Sequence, residues 1–219
     1  MPKSTNAKLA LWCPTYKRPH KLQALVKNIE ETTVNDFMIY FGLEPDDTEG
    51  IEAAKATGYP VIINQGDMGY ANTIQSIYEA TQEPFSIHIN DDFTFLDKWD
   101  ETPIEMFKTP HIMMVGVKQR EIDQDCSAIC FWRRTYIEQQ SGVIDMPNRV
   151  FYPYKHNYQD TESTRTAQSR GVWAKCDKPC IDHHHPGFVG GPKDETYKKN
   201  DATAEEDRKT FESRQHLWG

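Results

Sequence analysis

In the first hundred residues, short apolar runs alternate with amphipathic helical stretches, an order that a helix-flanked parallel sheet satisfies and few other folds do. Leu9-Ala10-Leu11-Trp12-Cys13 reads as a buried strand stopped by Pro14. Pro19 opens a helix on which Leu22, Leu25, Val26 and Ile29 recur at helical spacing. Phe37 to Leu43 reads as a second strand ending in the turn Glu44-Pro45-Asp46-Asp47, Ile51 to Thr57 as a short helix closed by Gly58, and Tyr59 to Asn64 as a third strand. After a loop holding Gly66 and Gly69, Ala71 to Thr81 places Ile74, Ile77 and Tyr78 on one helical face. A fourth strand then starts at Phe85, in the stretch Phe85 to Phe95. Phe85, Ile87 and Ile89 share one face before the chain reaches Asn90-Asp91-Asp92. The expectation is an α/β, Rossmann-like, mostly parallel sheet flanked by helices.

The second half is less regular. His111 to Val117 and Ser127 to Trp132 read as strands, and Arg133 to Gln140 as a helix closed by Gly142. Val143 to Trp173 is polar and Tyr-rich without clear periodicity, which predicts loops and short elements around a site. The tail, Asp194 to Gly219, is charged with scattered Tyr197, Phe211, Leu217 and Trp218, which predicts a C-terminal helix laid on the surface. No internal repeat or low-complexity linker interrupts the 219 residues, so a single domain over 1–219 is expected. The formal charge of −8 gives no global attraction to nucleic acid or anionic membranes, although Lys17, Arg18, Lys21, Arg133 and Arg134 leave room for a local positive surface. No apolar run reaches membrane-spanning length, and the Met1-Pro2-Lys3-Ser4 start lacks a signal peptide's apolar core. Five cysteines without a close-set framework fit reduced thiols. These features predict a cytoplasmic protein.

The chemistry-bearing residues fall between the elements. Asp91 and Asp92 stand at a predicted strand tip, where ligands of open α/β sheets bind. Adjacent carboxylates repel unless neutralised, and hard divalent cations prefer oxygen ligands; taken alone, the pair is an ordinary Asp-rich turn. Pro14-Thr15-Tyr16-Lys17-Arg18-Pro19 joins the first strand to the first helix, where Thr15 offers a hydroxyl and Arg18 a planar fork suited to a diphosphate. Asn64 to Asn72 is a Gly-containing loop opening a helix, a composition that plain turns share. Asp160 and Glu162 are candidates for a general base toward a hydroxyl, against the background that most surface acids are simply solvated. In Asp182-His183-His184-His185-Pro186, His183 and His185 point the same way if the segment is extended, and imidazole is a common ligand of divalent metals. Mixed oxygen and nitrogen ligands suit Mn2+ better than Mg2+. Two other groupings compete. Asp123-Gln124-Asp125 fits D-x-D literally but lies in a charged stretch, and Cys176, Cys180, His183 and His185 would make a zinc site of atypical C-x3-C spacing.

In this order the pieces resemble a GT-A-fold glycosyltransferase of the family 2-like group found in bacteria and phages. The P-T-x-x-R-P run from Pro14 to Pro19, the N-x-G…G…N stretch of Asn64, Gly66, Gly69 and Asn72, the Asn90-Asp91-Asp92 counterpart of D-x-D, the acids Asp160 and Glu162, and the late His183 to Pro186 carry the likeness over roughly Leu9 to Pro186. Asn90 stands where D-x-D has its first acid, and Glu44-Pro45-Asp46-Asp47 where the family has D-D-G-S.

The resemblance implies a GT-A-like sheet with a C-terminal helical tail. It implies a nucleotide-binding half over about 9–100, an acceptor and metal-completing half over about 101–190, and a tail over 191–219. It implies a nucleotide-sugar donor, a UDP-sugar first among them, held by Pro14, Thr15, Arg18, Glu44, Asn64, Gly66, Gly69, Asn72 and Asp91. Mn2+ or Mg2+ would be held by Asp91, Asp92, His183 and His185, with Asp160 ahead of Glu162 as the base of an inverting transfer to a hydroxyl. The acceptor classes are a protein, modified DNA or a small molecule, in a bacterial host cytoplasm if the gene is a phage's. Two other readings keep the fold: a sugar-phosphate nucleotidylyltransferase, whose longer Gly-rich loop is missing here, and a non-catalytic module that binds a nucleotide sugar or glycan.

Overall fold

The computed structural model describes residues 7–120, 129–186 and 195–218. Among them, eight strands form one sheet in the order β3-β2-β1-β4-β7-β6-β8-β5. The N-terminal strands β1 (Leu9–Pro14), β2 (Phe37–Leu43), β3 (Val61–Ile63) and β4 (Phe85–His88) are mutually parallel. β7 (Cys130–Arg133) runs antiparallel between β4 and β6 (Met114–Gln119), β6 pairs in parallel with β8 (Trp173–His183), and β5 (Phe93–Phe95) closes the edge antiparallel to β8. Only β5 and β7 oppose the common direction, so the sheet is mixed but mostly parallel.

β1 shows how the sequence builds two layers. Leu9, Leu11 and Cys13 join the core that contains Leu22, Leu25, Val26 and Ile29 of α1 (Leu22–Thr32), while Ala10 and Trp12 join the one containing Ala71, Ile74, Ile77 and Tyr78 of α3 (Tyr70–Ala80). Alternate residues of a strand face opposite sides, and a strand covered on both reads as one continuous apolar run. The α1 helix is preceded by a 3-10 turn, Pro19–Lys21. α2 (Thr48–Ala56) starts earlier than its apolar pattern suggests, because Asp47 caps it by accepting the Gly50 amide at 3.0 Å. Among the described residues no helix is long and apolar enough to cross a membrane.

Four expectations are corrected. The strand from Phe85 ends at His88, just before the acids, and a separate strand that the sequence reading did not resolve, Phe93–Phe95, leaves for the far edge to pair with Ile181–His183. A pair of charges cannot continue through a sheet interior, so the chain turns at Asn90-Asp91-Asp92 and the acids sit in the crossing. The stretch expected to be loops contains α6 (Gln159–Ser169), whose hydrophilic sequence hides its period: Thr164, Thr166, Ser163 and Gln159 are buried polar residues. The eleven residues of β8 had no separate signal because Lys175, Asp177 and Lys178 break their alternation, and the β6–β8 register shifts there. Finally, α5 (Arg134–Gln140) is ended by Ser141 at φ +66°, not by Gly142.

The C-terminal helix, α7 (Glu195–Arg214), forms as expected, but it is more than a surface appendage because Asp207 and Arg214 are buried. α4 (Glu101–Met106) lies near β6 and β8. Gly142 serves close approach: its amide donates to the Arg149 carbonyl at 2.7 Å, and an added Cβ would stand 2.0 Å from the Val150 carbonyl oxygen. Gly142→Ala should therefore cost about 2 kcal/mol or more by forcing backbone apart. Gly58→Ala, at φ +82° in open space, should cost about 1 kcal/mol. Urea unfolding midpoints of the two variants check this ordering, and equal midpoints would refute it.

Candidate functional site

The carboxyl ends of β1, β2 and β4 open onto a cavity of about 550 Å³, the position at which open α/β sheets bind ligands. β1 delivers Pro14, Thr15 and Arg18; β2 delivers Glu44; the β4–β5 crossing delivers Asn90, Asp91 and Asp92; and β8 with the residues after it delivers His183 and His185. The far wall comes from Lys155 to Asp160 and from Tyr197 and Thr203 of α7.

Asp91 is satisfied by the protein itself. Its Oδ2 accepts the Thr15 hydroxyl at 2.8 Å, and its Oδ1 accepts Arg18 Nη1 at 2.8 Å with Lys21 Nζ at 3.7 Å. Asp92 is not. Its Oδ2 accepts the Tyr197 hydroxyl at 2.6 Å and lies 3.5 Å from His183 Nε2, while Oδ1 is buried and, among the described residues, accepts no hydrogen bond. Gln119 Oε1 lies 3.1 Å from His183 Nδ1, and an amide oxygen can only accept, so Nδ1 carries the proton and Nε2 turns toward Asp92. Metal-binding histidines are commonly oriented in this way. Burial works to raise the Asp92 pKa, but the adjoining His183 ring, the Tyr197 hydroxyl and Lys21 outweigh it and hold the carboxyl well below its ordinary range. An orphaned, ionised carboxylate oxygen beside an imidazole fits a divalent cation.

His185 lies with its ring 5.6 Å from His183, whereas His184 turns away to Thr94 at 2.8 Å, as alternation in an extended segment requires. Among the described residues no group of three or more His, Cys, Asp or Glu side chains is already assembled around a metal position, and Asp91 is engaged by Thr15 and Arg18. The zinc grouping does not form either. Cys176 and Cys180 both point at the Lys178 carbonyl, at 3.7 and 3.2 Å, within the apolar core. Asp123-Gln124-Asp125 lies outside the described residues.

At the other end of the cavity Glu44, only 6% exposed, accepts Asn64 Nδ2 at 3.3 Å and 3.1 Å on its two oxygens, the Gly69 amide at 3.0 Å and the Thr73 hydroxyl at 2.9 Å. Asn64 does not line the cavity. It holds Glu44 and braces the loop by accepting the Gly66 amide at 3.1 Å and donating to the Asp67 carbonyl at 2.9 Å. Gly66 and Asn72 are also outside the lining, and Asn72 instead accepts Arg149 Nη2 at 2.8 Å. Among the basic residues singled out in the sequence, Arg18 is paired with Asp91, Arg133 with the carbonyls of Ile112 and Phe107, and Arg134 with Glu138.

Asp160 and Glu162 share the first turn of α6 but part company. Asp160 lines the cavity, and its Oδ1 accepts the Thr161 amide at 2.8 Å. Desolvation there raises its pKa above the ordinary value despite that hydrogen bond. Glu162 points away from the cavity, accepting the Tyr154 hydroxyl at 2.6 Å and Arg214 Nη2 at 2.8 Å. Of the two candidate bases, then, Asp160 is the one in the cavity lining.

Sequence reasoning missed Tyr197, whose ring lies over the Arg18 guanidinium at 4.4 Å and packs against His185 at 4.8 Å. It also missed Gln119, and Tyr70, whose hydroxyl donates to Asn90 at 3.1 Å. None sits in a recognisable local pattern, and only contact across the sequence reveals them.

Arg214 also holds Asp145 at 2.6 Å, so Glu162→Ala leaves a mostly buried guanidinium with one exposed partner. Breaking such a pair should cost about 3 kcal/mol. Thermal unfolding checks this, and an unchanged midpoint would return Glu162 to the list of free acids.

No family model matches the chain, and no curated protein matches it by sequence. Solved structures do resemble it. Glucosyl-3-phosphoglycerate synthase of Mycobacterium tuberculosis, solved with Mn2+, UDP and glucosyl-3-phosphoglycerate, superposes with a TM-score of 0.69 at 10% identity, over 95% of this chain and 80% of that one. A mannosyltransferase of Pyrobaculum calidifontis, solved with GDP-Man and Mn2+, gives 0.63 at 12% identity over 81% of this chain. S. aureus TarS, solved with UDP-GlcNAc, gives 0.62 at 12% over 80% of this chain. The chain spans 57% and 58% of the lengths of these last two. At such identities the likeness speaks to architecture, and the chain has the GT-A-like fold of glycosyltransferases.

Proposed function

We propose that this protein is a divalent-cation-dependent glycosyltransferase, moving a sugar from a nucleotide-sugar donor, a UDP-sugar first among them, to an acceptor hydroxyl. The observation that carries the reading is the pairing, across one cavity, of Asp92 with its orphaned oxygen beside His183 and of Asp160 with its raised pKa. The structural neighbours solved with Mn2+ and with UDP or GDP-sugar ligands support it.

Asp92, His183 and His185 would hold the cation. When bound, it would supply Lewis-acid stabilisation of the charge that builds on a departing diphosphate. Glu44, a buried acceptor at the opposite end, suits an N–H of the donor's base. Arg18 and Lys21 keep Asp91 neutralised and set a positive face beside the diphosphate position. Asp160, its Oδ1 fixed by the Thr161 amide, takes the acceptor hydroxyl's proton on its carboxylate, which makes the transfer an inverting one. We assign the protein to the family 2-like group, acting in the cytoplasm (that of a bacterial host if the gene is a phage's) as one domain, with a protein, modified DNA or a small molecule as acceptor.

Asp160→Asn should bind UDP with Mn2+ as wild type does, yet transfer sugar at least about a hundredfold more slowly, read by nucleotide release from a panel of nucleotide sugars. Because the base works ionised and its pKa is raised, wild-type rate should fall with decreasing pH already above the ordinary carboxylate range. Near-normal transfer in Asp160→Asn would remove it from the role. Asp92→Asn should abolish Mn2+ binding measured by calorimetry in the presence of UDP, and Gln119→Ala should weaken it about tenfold through loss of His183 orientation. Full Mn2+ affinity in Asp92→Asn would end the metal assignment.

A further inference from the structure

We infer that Asp207, a residue of α7 outside the lining of the cavity, is a positioning residue for the catalytic wall of that cavity, an inference that rests on the transfer reading above. Asp207 is 2% exposed, and its carboxylate accepts three consecutive backbone amides: Lys155 at 2.8 Å on Oδ1, and His156 at 2.8 Å and Asn157 at 2.7 Å on Oδ2. Charge-assisted bonds of this kind are stronger than neutral ones, and successive amides converging on one anion fix the chain's path.

The path so fixed leads directly to Asp160. Lys155, His156 and Asn157 line the cavity, and Tyr158 follows in the left-handed region at φ +73°, a conformation a bulky residue holds only when its surroundings impose it. α6 begins at the next residue, with the Glu162 amide donating to the Tyr158 carbonyl at 2.8 Å. Asp160 therefore owes its place to how the 155–158 turn is held.

α7 supplies that hold along one stripe. Asp207, Phe211 and Arg214 are spaced i, i+4, i+7 and so share a face. Phe211 stacks on the Tyr158 ring at 4.7 Å with 19° between planes, and Arg214 grips Glu162 one turn inside α6. The three contacts bind the left-handed residue, the amides before it and the helix after it. No other partner of the Lys155 and Asn157 amides appears among the described residues.

Three measurements on the full chain test this: hydrogen exchange at the 155–157 amides, calorimetry with UDP and Mn2+, and nucleotide release from UDP- and GDP-sugars. Asp207→Ala should raise exchange at 155–157 at least about tenfold and lower turnover about a hundredfold, while the UDP–Mn2+ affinity stays within about twofold. Asp207→Asn, which retains acceptor oxygen and volume, should fall between Ala and wild type, and serves if the Ala variant does not fold. Unchanged exchange in either variant overturns the inference. So does turnover within about threefold of wild type once exchange has risen, or a parallel loss of nucleotide affinity, which would make Asp207 merely a stabiliser. A wild-type protein that binds no nucleotide and turns over no sugar would overturn the transfer reading instead, with the exchange arm still deciding whether Asp207 holds the turn.

Discussion

The buried contact of Asp91 with Thr15 and Arg18 ties the β1–α1 junction to the β4–β5 crossing, and the rest of the site is arranged around it. Two neighbouring carboxylates in a desolvated cleft are costly unless neutralised. The protein neutralises one with its own hydroxyl, guanidinium and ammonium, and leaves the other beside an imidazole with an oxygen to spare. A chain that had satisfied both acids internally would have a stable crossing and no use for a cation. The asymmetry between Asp91 and Asp92 is thus what turns a structural crossing into a candidate site.

The N-terminal half was legible in the sequence because its physics is local. β1 and the apolar stripes of α1 and α3 announce themselves by period, and the acids at the β4 end and the arginine after β1 fall where parallel strands stop. The later half was less so. α6 buries Gln159, Glu162, Ser163, Thr164 and Thr166 with Ala167 as its one buried apolar residue, so its helical period carries little hydrophobic contrast. β8 contains a register shift that cancels strand alternation. The distinction between Asp160 and Glu162 was invisible in sequence, since it is decided by Arg214, fifty-two residues away from Glu162. The different surroundings of Asp91 and Asp92 were hidden for a related reason: a D-x-D-like pattern shows two acids but not which of them the protein has already paired.

α7 makes the same point at the scale of an element. Its sequence is charged and weakly amphipathic, so it reads as a solvated tail. Yet Tyr197 reaches Asp92, Asp207 collects three amides and Arg214 is buried against Glu162. A helix that buries few apolar side chains can still be fixed in place when the few contacts it makes are charged and well paired.

The crossing from β4 to β5 carries one more consequence. β4 lies in the middle of the sheet and can pair with β1 early in the chain's folding, but Phe93–Phe95 finds its partner only in Ile181–His183, some ninety residues later. Asp92 sits between these two commitments, with its own carbonyl accepting the His184 amide at 2.9 Å. Contacts of such separation form late, because the loop they close must be ordered first. During synthesis, then, the four parallel strands can pair while the crossing that carries Asp92 still waits for β8, and the cavity, whose far wall comes from residues 155–160 and α7, closes last.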